Sequence, residues 1–195
     1  MSRSKFPGTS PPSTTGKASG PDPATTHEAV RRAMHEGVDL TRLPPPPASE
    51  IEWRERAIRL CHDMPGLRDE LVNLPIGWFP LIEHAVLEIR RRLLPGQYFR
   101  TRQLKEKFGT LRWYGHVADG TNEAVADTGA EGAVDWAEDA SATVCALFGT
   151  PDGQIDRTGG WLLTLSAEAS AMRRESQASG YRSTFGALMY PRWDD

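Results

Sequence analysis

Charged and aromatic side chains are the residues of this sequence best suited to bind another molecule, and the two signs of charge lie apart. Eight lysines and arginines fall between Arg90 and Arg112, against the single acid Glu106, which gives that segment a net charge of +7. Cations contact phosphates and aromatic rings stack on bases in many nucleic-acid-binding surfaces. This segment therefore predicts a basic binding surface. Its candidate residues are Arg100, Arg102, Lys105, Lys107, Arg112 and Trp113, with Tyr114 as a second stacking candidate.

The segment that follows is acidic. Residues 113–156 hold nine aspartates and glutamates and no lysine or arginine. Such a surface suits a basic protein partner, or mimics nucleic acid. The candidate residues of this acidic face are Asp127, Glu131, Asp135, Glu138 and Asp139. The alternative is that the acidic and basic segments neutralise each other within the fold. Between the two binding surfaces we favour the acidic one, because the chain has a net charge of -3.

Reactive side chains form no recognisable catalytic set. Cys61 precedes His62 and Asp63 but falls on the apolar face of a predicted helix, His84 is expected to face solvent, and His116 ends a strand. The sequence has no Gly-x-Ser-x-Gly motif, phosphate-binding loop or dinucleotide fingerprint. Two cysteines are too few for a cysteine-based zinc site. We therefore assign no catalytic residue, metal or cofactor; a hydrolase using carboxylates near His116 remains the enzymatic alternative.

Composition divides the chain into a tail and one domain. Residues 1–26 hold five prolines, three glycines and ten serines and threonines, which predicts disorder. Residues 1–47 are interpreted as this tail with a short helix at 27–38 and a polyproline linker, and residues 48–195 as a single domain. No apolar run reaches membrane length and no signal peptide is recognised, so a cytoplasmic protein is expected. The alternative is a protein secreted into a host cell, with the tail as export signal.

Periodicity within the domain predicts an α+β fold, in which several helices pack a small antiparallel sheet. The predicted helices span 49–64, 67–74, 79–94, 131–147 and 167–178. The predicted strands span 97–108, 110–117, 154–157 and 160–165, and residues 181–195 are expected to form an irregular arm. The predicted core comprises Trp78, Phe79, Ile82, Val86, Ile89, Leu104, Phe108, Leu111, Val144, Phe148, Trp161 and Leu163.

The order of several short motifs along the chain resembles that in a family of small phage and prophage proteins of unassigned activity. The segment from Lys105 to Tyr114 reads KEKFGTLRWY and is the most specific part. Members of that family follow it with a Cys-x-x-Cys and Cys-x-x-His zinc knuckle. Here Cys145 matches the first ligand, but Phe148, Ser166 and Ala169 occupy the other three positions. The resemblance implies that this chain has the fold of that family, with a degenerate knuckle that binds no metal.

These observations together predict a non-catalytic accessory protein of phage or prophage type. Its expected partner is a host protein, engaged as an inhibitor or in counter-defence, with nucleic acid as the alternative partner. A secreted bacterial effector and a nucleic-acid-binding module that uses residues 90–112 are the alternative functions. No membrane association is expected.

Overall fold

The computed structural model describes residues 23–121, 124–125, 128–180 and 182–190. Of residues 1–26, which are predicted to be disordered, 1–22 lie outside the described residues, whereas 23–26 are helical, so the first helix begins four residues before its predicted start. The described residues form an α+β fold, as predicted. It contains seven α-helices and two small antiparallel sheets of two strands each. In chain order the elements are α1 Pro23–Gly37, α2 Glu50–Cys61, α3 Leu67–Leu71, α4 Phe79–Arg92, β1 Tyr98–Lys107, β2 Thr110–Ala118, α5 Ala130–Ala140, β3 Gln154–Asp156, β4 Leu163–Leu165, α6 Ala167–Ala178 and α7 Arg182–Met189.

Local signals account for where the main helices begin. The Ser49 side chain accepts a hydrogen bond from the Glu52 amide and caps α2, and Ser166 caps α6 through the Ala169 amide. Pro80 occupies the first turn of α4, where its missing N–H costs no helical hydrogen bond. The apolar seam of α4 is fully buried, so this helix forms the centre of the core as its periodicity predicts.

Strands β1 and β2 form a hairpin whose outer edges are both covered by helix side chains. Glu70 of α3 accepts a hydrogen bond from the Leu104 amide (2.9 Å). On the other edge, Glu138 accepts from the Trp113 amide (2.6 Å) and Ser141 Oγ from the Leu111 amide (2.8 Å). An isolated hairpin is only marginally stable in water, so these contacts fix this one against α3 and α5.

The alternation of side chains along β1 is interrupted once. Thr101 pairs with Gly115 and Gln103 pairs with Tyr114, which leaves Arg102 as the extra residue of a β-bulge. The bulge points both Arg102 and Gln103 outward, so Thr101 and Leu104 can both face the core although they are three residues apart.

Helix α1 packs against α5 and belongs to the core. Its Val30 and Met34 side chains are buried in the same cluster as α4 and the hairpin. A Cβ atom on Gly132 of α5 would lie 2.4 Å from the His27 carbonyl oxygen, so the two helices meet at this glycine. Packing therefore begins well before the predicted domain start near Ala48, because α1 has an apolar stripe that needs covering.

Several predicted side-chain positions are corrected by the structure. Phe108 and Trp161, both expected in the core, have 70% and 61% of their surface exposed. Phe108 lies in the hairpin turn, at the end of the sheet, and the described part of the chain leaves most of its ring exposed. Helix α5 ends at Ala140 rather than at 147, and the expected irregular arm contains helix α7, which buries Phe185 and Met189.

Candidate functional site

The outer face of the hairpin carries a row of cations, which we call the cationic strip. It consists of Arg100, Arg102, Lys105 and Lys107 of β1. Alternate residues of an antiparallel strand lie about 6.8 Å apart and point to the same face, which lines the strip along the strand. The inner face packs against the core, with Phe99, Leu104 and Leu111 buried. The hairpin therefore carries the four cations on the face opposite to its core packing.

The only acid of this part of the sequence lies on the other side of the hairpin. Glu106 pairs with Leu111 in the register and points away from the strip. Its Oε1 accepts a hydrogen bond from the Gly109 amide (2.6 Å) and its Oε2 accepts from the Trp161 indole N–H (2.7 Å). Since both oxygens are engaged, Glu106 does not neutralise the strip.

None of the four strip cations forms an ion pair with a carboxylate in the part of the chain that the structure describes. Lys105 Nζ donates to the Gln103 amide oxygen (2.5 Å) and lies 5.5 Å from the ring centre of Tyr114. Arg112, the remaining predicted cation, stands at the edge of the strip, and one of its Nη atoms lies 3.6 Å from Glu138. The strip is thus a continuous, largely uncompensated positive surface.

The structure corrects the assignment of Trp113 as a stacking residue. Trp113 is 3% exposed, packs edge-on against Phe99 and donates from its indole to Thr101 Oγ1 (3.1 Å). Tyr114, one residue on, points outward and is 46% exposed. Strand alternation decides between them, because Trp113 has the same parity as buried Leu111. Tyr114 is therefore the aromatic side chain that the strip presents.

A cleft of about 430 Å³ opens where the hairpin meets α1 and α5. His116, opposite Arg100 in the register, lines it together with Arg102. Partial burial and the nearby charges of Arg102 and Arg100 hold the pKa of His116 below its ordinary value. This imidazole is consequently biased toward its neutral form by the charge of the strip.

The acidic face of α5 lies beside basic side chains of α1, and its carboxylates stay partly exposed. Asp135 accepts from His27 (2.8 Å), and one oxygen of Asp139 binds Arg31 (2.7 Å) and His35 (3.1 Å). The predicted residues of α5 are thereby engaged within the chain. Glu131 is half-buried, Glu138 caps the edge of β2 as described above, and Asp127 lies outside the described residues.

The corner where the resemblance implies a zinc knuckle is closed by hydrogen bonds. The Ala146 amide donates to the Thr164 carbonyl (2.8 Å), and Cys145 is fully buried with its sulfur 3.4 Å from the Phe148 amide. Phe148, Ser166 and Ala169 supply no thiolate or imidazole, so this corner does not fit a tetrahedral zinc ion. No cluster of three potential metal ligands occurs among the described residues.

The remaining reactive groups lie apart and are partly buried. Burial raises the pKa of the Cys61 thiol to about 11, which keeps it protonated and unreactive near neutral pH. His84 is half-buried against Trp136 (ring centres 5.2 Å apart), not solvent-facing as predicted, and burial lowers its pKa.

Within the described ranges, no helix has the length and apolar character that crossing a membrane requires.

Comparison of the chain with protein-family models, curated proteins and solved structures finds no match.

Proposed function

We propose that this protein is a non-catalytic binding module whose cationic strip engages nucleic acid. The observation that carries the proposal is the strip itself. Arg100, Arg102, Lys105 and Lys107 lie on one face of a fixed hairpin, without a carboxylate partner among the described residues. Phosphates of a nucleic-acid backbone would supply the missing negative charge and release counterions on binding.

The fold of the hairpin favours this use of the strip. Its core face and both edges are already engaged, so the outer face is the part of the hairpin that remains for a ligand. Tyr114 adds an exposed ring between the cations, and aromatic rings next to cations suit bases beside phosphates. The acidic face offers less to a partner, because α1 already binds Asp135 through His27 and Asp139 through Arg31.

The wider role follows from the sequence resemblance. We propose an accessory protein of phage or prophage type that acts on a host macromolecule in the cytoplasm. The proposal includes no reaction, since the Cys61 thiol is held protonated and His84 packs against Trp136. Nucleic acid replaces the host protein as the favoured partner, because the strip is the less neutralised of the two charged surfaces.

The test is a titration of a fluorescently labelled thymidine oligonucleotide over a series of salt concentrations. Four phosphate contacts predict that the logarithm of the binding constant falls with the logarithm of salt at a slope of about -3. The variant Arg100→Glu, Arg102→Glu, Lys105→Glu should bind at least about 100-fold more weakly. Its circular dichroism spectrum should be unchanged, because these side chains are outside the core.

A matched control changes the net charge equally at other exposed arginines. The variant Arg42→Glu, Arg59→Glu, Arg174→Glu leaves the hairpin intact and should keep most of the affinity. Equal losses in the two variants would mean that overall charge and not the strip attracts the oligonucleotide. Failure of the wild-type protein to bind any strand at low salt would refute the proposed function.

A further inference from the structure

The turn of the hairpin contains a strained aromatic residue. Lys107 pairs with Thr110, so Phe108 and Gly109 form a two-residue loop, and their φ angles are +56° and +85°. Two positive φ values are the mark of a type I′ turn, for which Asn-Gly is the favoured sequence. Phe108 is the only residue other than glycine with positive φ among the described residues. A bulky side chain in this conformation is a genuine outlier.

Among the described residues, the strain brings little packing in return. The Phe108 ring is 70% exposed and is absent from the core cluster. The charged Nζ of Lys107 lies 5.4 Å from the ring centre. Backbone strain retained at an exposed residue is typical of functional positions, where the surrounding structure holds it in place.

The surroundings of the turn do hold it. The Gly109 amide donates to Glu106, and Thr164 Oγ1 donates to the Gly109 carbonyl (2.6 Å). Gly109 also forms a bridge to Leu163 of β4, and Trp161 fixes the other oxygen of Glu106. The second sheet thus anchors the turn, and Phe108 projects from a rigid base beyond the last cation of the strip.

The two exposed rings of the hairpin share one arrangement. Tyr114 has Lys105 over its ring at 5.5 Å, and Phe108 has Lys107 at 5.4 Å. Each ring therefore stands beside a cation of the strip that carries no carboxylate partner among the described residues. A nucleotide has matching parts, a base that stacks and a phosphate that pairs with the cation. Stacking on a side chain requires a base that is not already stacked in a duplex.

We infer that Phe108 is a base-stacking residue at the end of the cationic strip, and that the ligand is a single-stranded nucleic acid. The inference rests on the proposed function, since the strip supplies the phosphate contacts. It adds a second contact of different chemistry, which depends on the base and not on the charge. The strained turn presents the ring to the ligand in a fixed position, so little conformational freedom is lost on binding.

The experiment compares a thymidine oligonucleotide with an abasic strand of the same length, which keeps the phosphates and lacks the bases. In Phe108→Asn the turn receives its favoured residue and loses the ring. We expect affinity for the thymidine strand to fall about 5- to 100-fold, while affinity for the abasic strand stays unchanged. The melting temperature should stay equal or rise by about 2 °C, since the strain is relieved.

Two further variants separate stacking from general apolar contact. Phe108→Tyr keeps a ring and should retain the affinity for the thymidine strand. Leu87→Gln removes an exposed apolar side chain on α4, which is 51% exposed, and should change neither affinity. A lower melting temperature in Phe108→Asn would assign the ring a structural role and overturn the inference.

The failures of the two proposals are distinguishable. If Phe108→Asn weakens both strands equally or neither, while the strip reversal still weakens both, the stacking role is overturned and the proposed function stands. If Phe108→Asn leaves nucleic-acid binding intact but abolishes self-association measured by light scattering, the ring belongs to a contact between two copies of the chain. If the wild-type protein binds neither strand, both proposals fail.

Discussion

Helix α5 and the cationic strip carry similar densities of charge, yet the fold treats them in opposite ways. On α5, Asp135 and Asp139 bind basic side chains of α1 within 3.1 Å. On the strip, Arg100 and Arg102 have no carboxylate partner in the described part of the chain and are exposed. One charged surface therefore helps to hold the fold together, and the other is the surface that we propose binds a ligand.

Histidines make the same contrast. His27 and His35 face carboxylates of α5, whereas His116 lies near the guanidinium groups of the strip, and partial burial together with these charges lowers its pKa. The difference teaches that the sign of a charged segment does not reveal its use. What decides is whether the chain brings an opposite charge to it, and here α1 does so across 108 residues of sequence for the Arg31–Asp139 pair.

The contrast between the two charged surfaces depends most strongly on the contact between α1 and α5. In Gly132→Ala the new Cβ would lie 2.4 Å from the His27 carbonyl oxygen, so α1 must shift. Overpacking of this kind costs up to about 3 kcal/mol, partly offset by about 1 kcal/mol of helix propensity. We expect the free energy of unfolding in urea to fall by about 2 kcal/mol, while oligonucleotide affinity stays unchanged.

The matched control for this change is Gly37→Ala. No atom lies within 4 Å of a Cβ built on Gly37, at the end of α1. Its effect on unfolding should stay within about 0.5 kcal/mol. Equal effects at Gly37 and Gly132 would mean that α1 does not depend on close contact with α5.

Charge reversal on α5 tests the same contrast, and its expected effect on the free energy of unfolding is smaller. In Asp135→Lys, Asp139→Lys the hydrogen bonds to His27 and His35 are lost, and the attraction to Arg31 becomes repulsion. These carboxylates are partly exposed, so the expected loss is about 1–2 kcal/mol in urea unfolding. Oligonucleotide affinity should not fall, which distinguishes this surface from the strip.

The control reversal uses exposed acids elsewhere, Glu55→Lys and Glu175→Lys, and should leave stability nearly unchanged. If reversal on α5 instead abolishes binding of a basic protein partner without loss of stability, the acidic face is a recognition surface after all, and the contrast between the two regions is lost.

Most of the elements were predictable because their signals are local. Helices α2, α4 and α6 begin within one residue of their predicted starts, and the hairpin turns between the two predicted strands at Gly109. The docking of α1 could not be predicted, because it depends on a partner helix more than 100 residues away. Helix α7 was also missed; it packs against α6 and buries Phe185 and Met189.

The site was predicted less well for reasons that concern single residues. Simple alternation from Phe99 would have turned Leu104 outward, and only the bulge at Arg102 restores it to the core. Parity with Leu111 could have identified Trp113 as buried and Tyr114 as exposed. Phe108 was placed in the core because of its residue type, whereas its position before Gly109 in a two-residue turn indicates exposure.

The smallest expected effect concerns His116, which lies next to the cationic strip. Because partial burial and the charges of Arg102 and Arg100 lower the pKa of His116, this imidazole is largely neutral at pH 7. Phosphates bound beside it would favour its protonated form and raise its pKa. Binding therefore takes up a proton. Affinity should increase by about five-fold or less as the pH falls from about 7 toward the pKa that His116 has in the free protein.

Fold stability should respond to the same residue with the opposite sign. The folded pKa of His116 lies below the unfolded value of about 6.5, so the unfolded chain binds protons first and stability falls as the pH drops through this window. In His116→Gln both dependences should flatten, while His62→Gln, at an exposed position in another part of the chain, should retain them. A thymidine strand is the right probe, since its base does not titrate in this range. Affinity that rises with falling pH to the same extent in His116→Gln would place the titrating group elsewhere, and the contrast between the histidines of the two regions would then not extend to ligand binding.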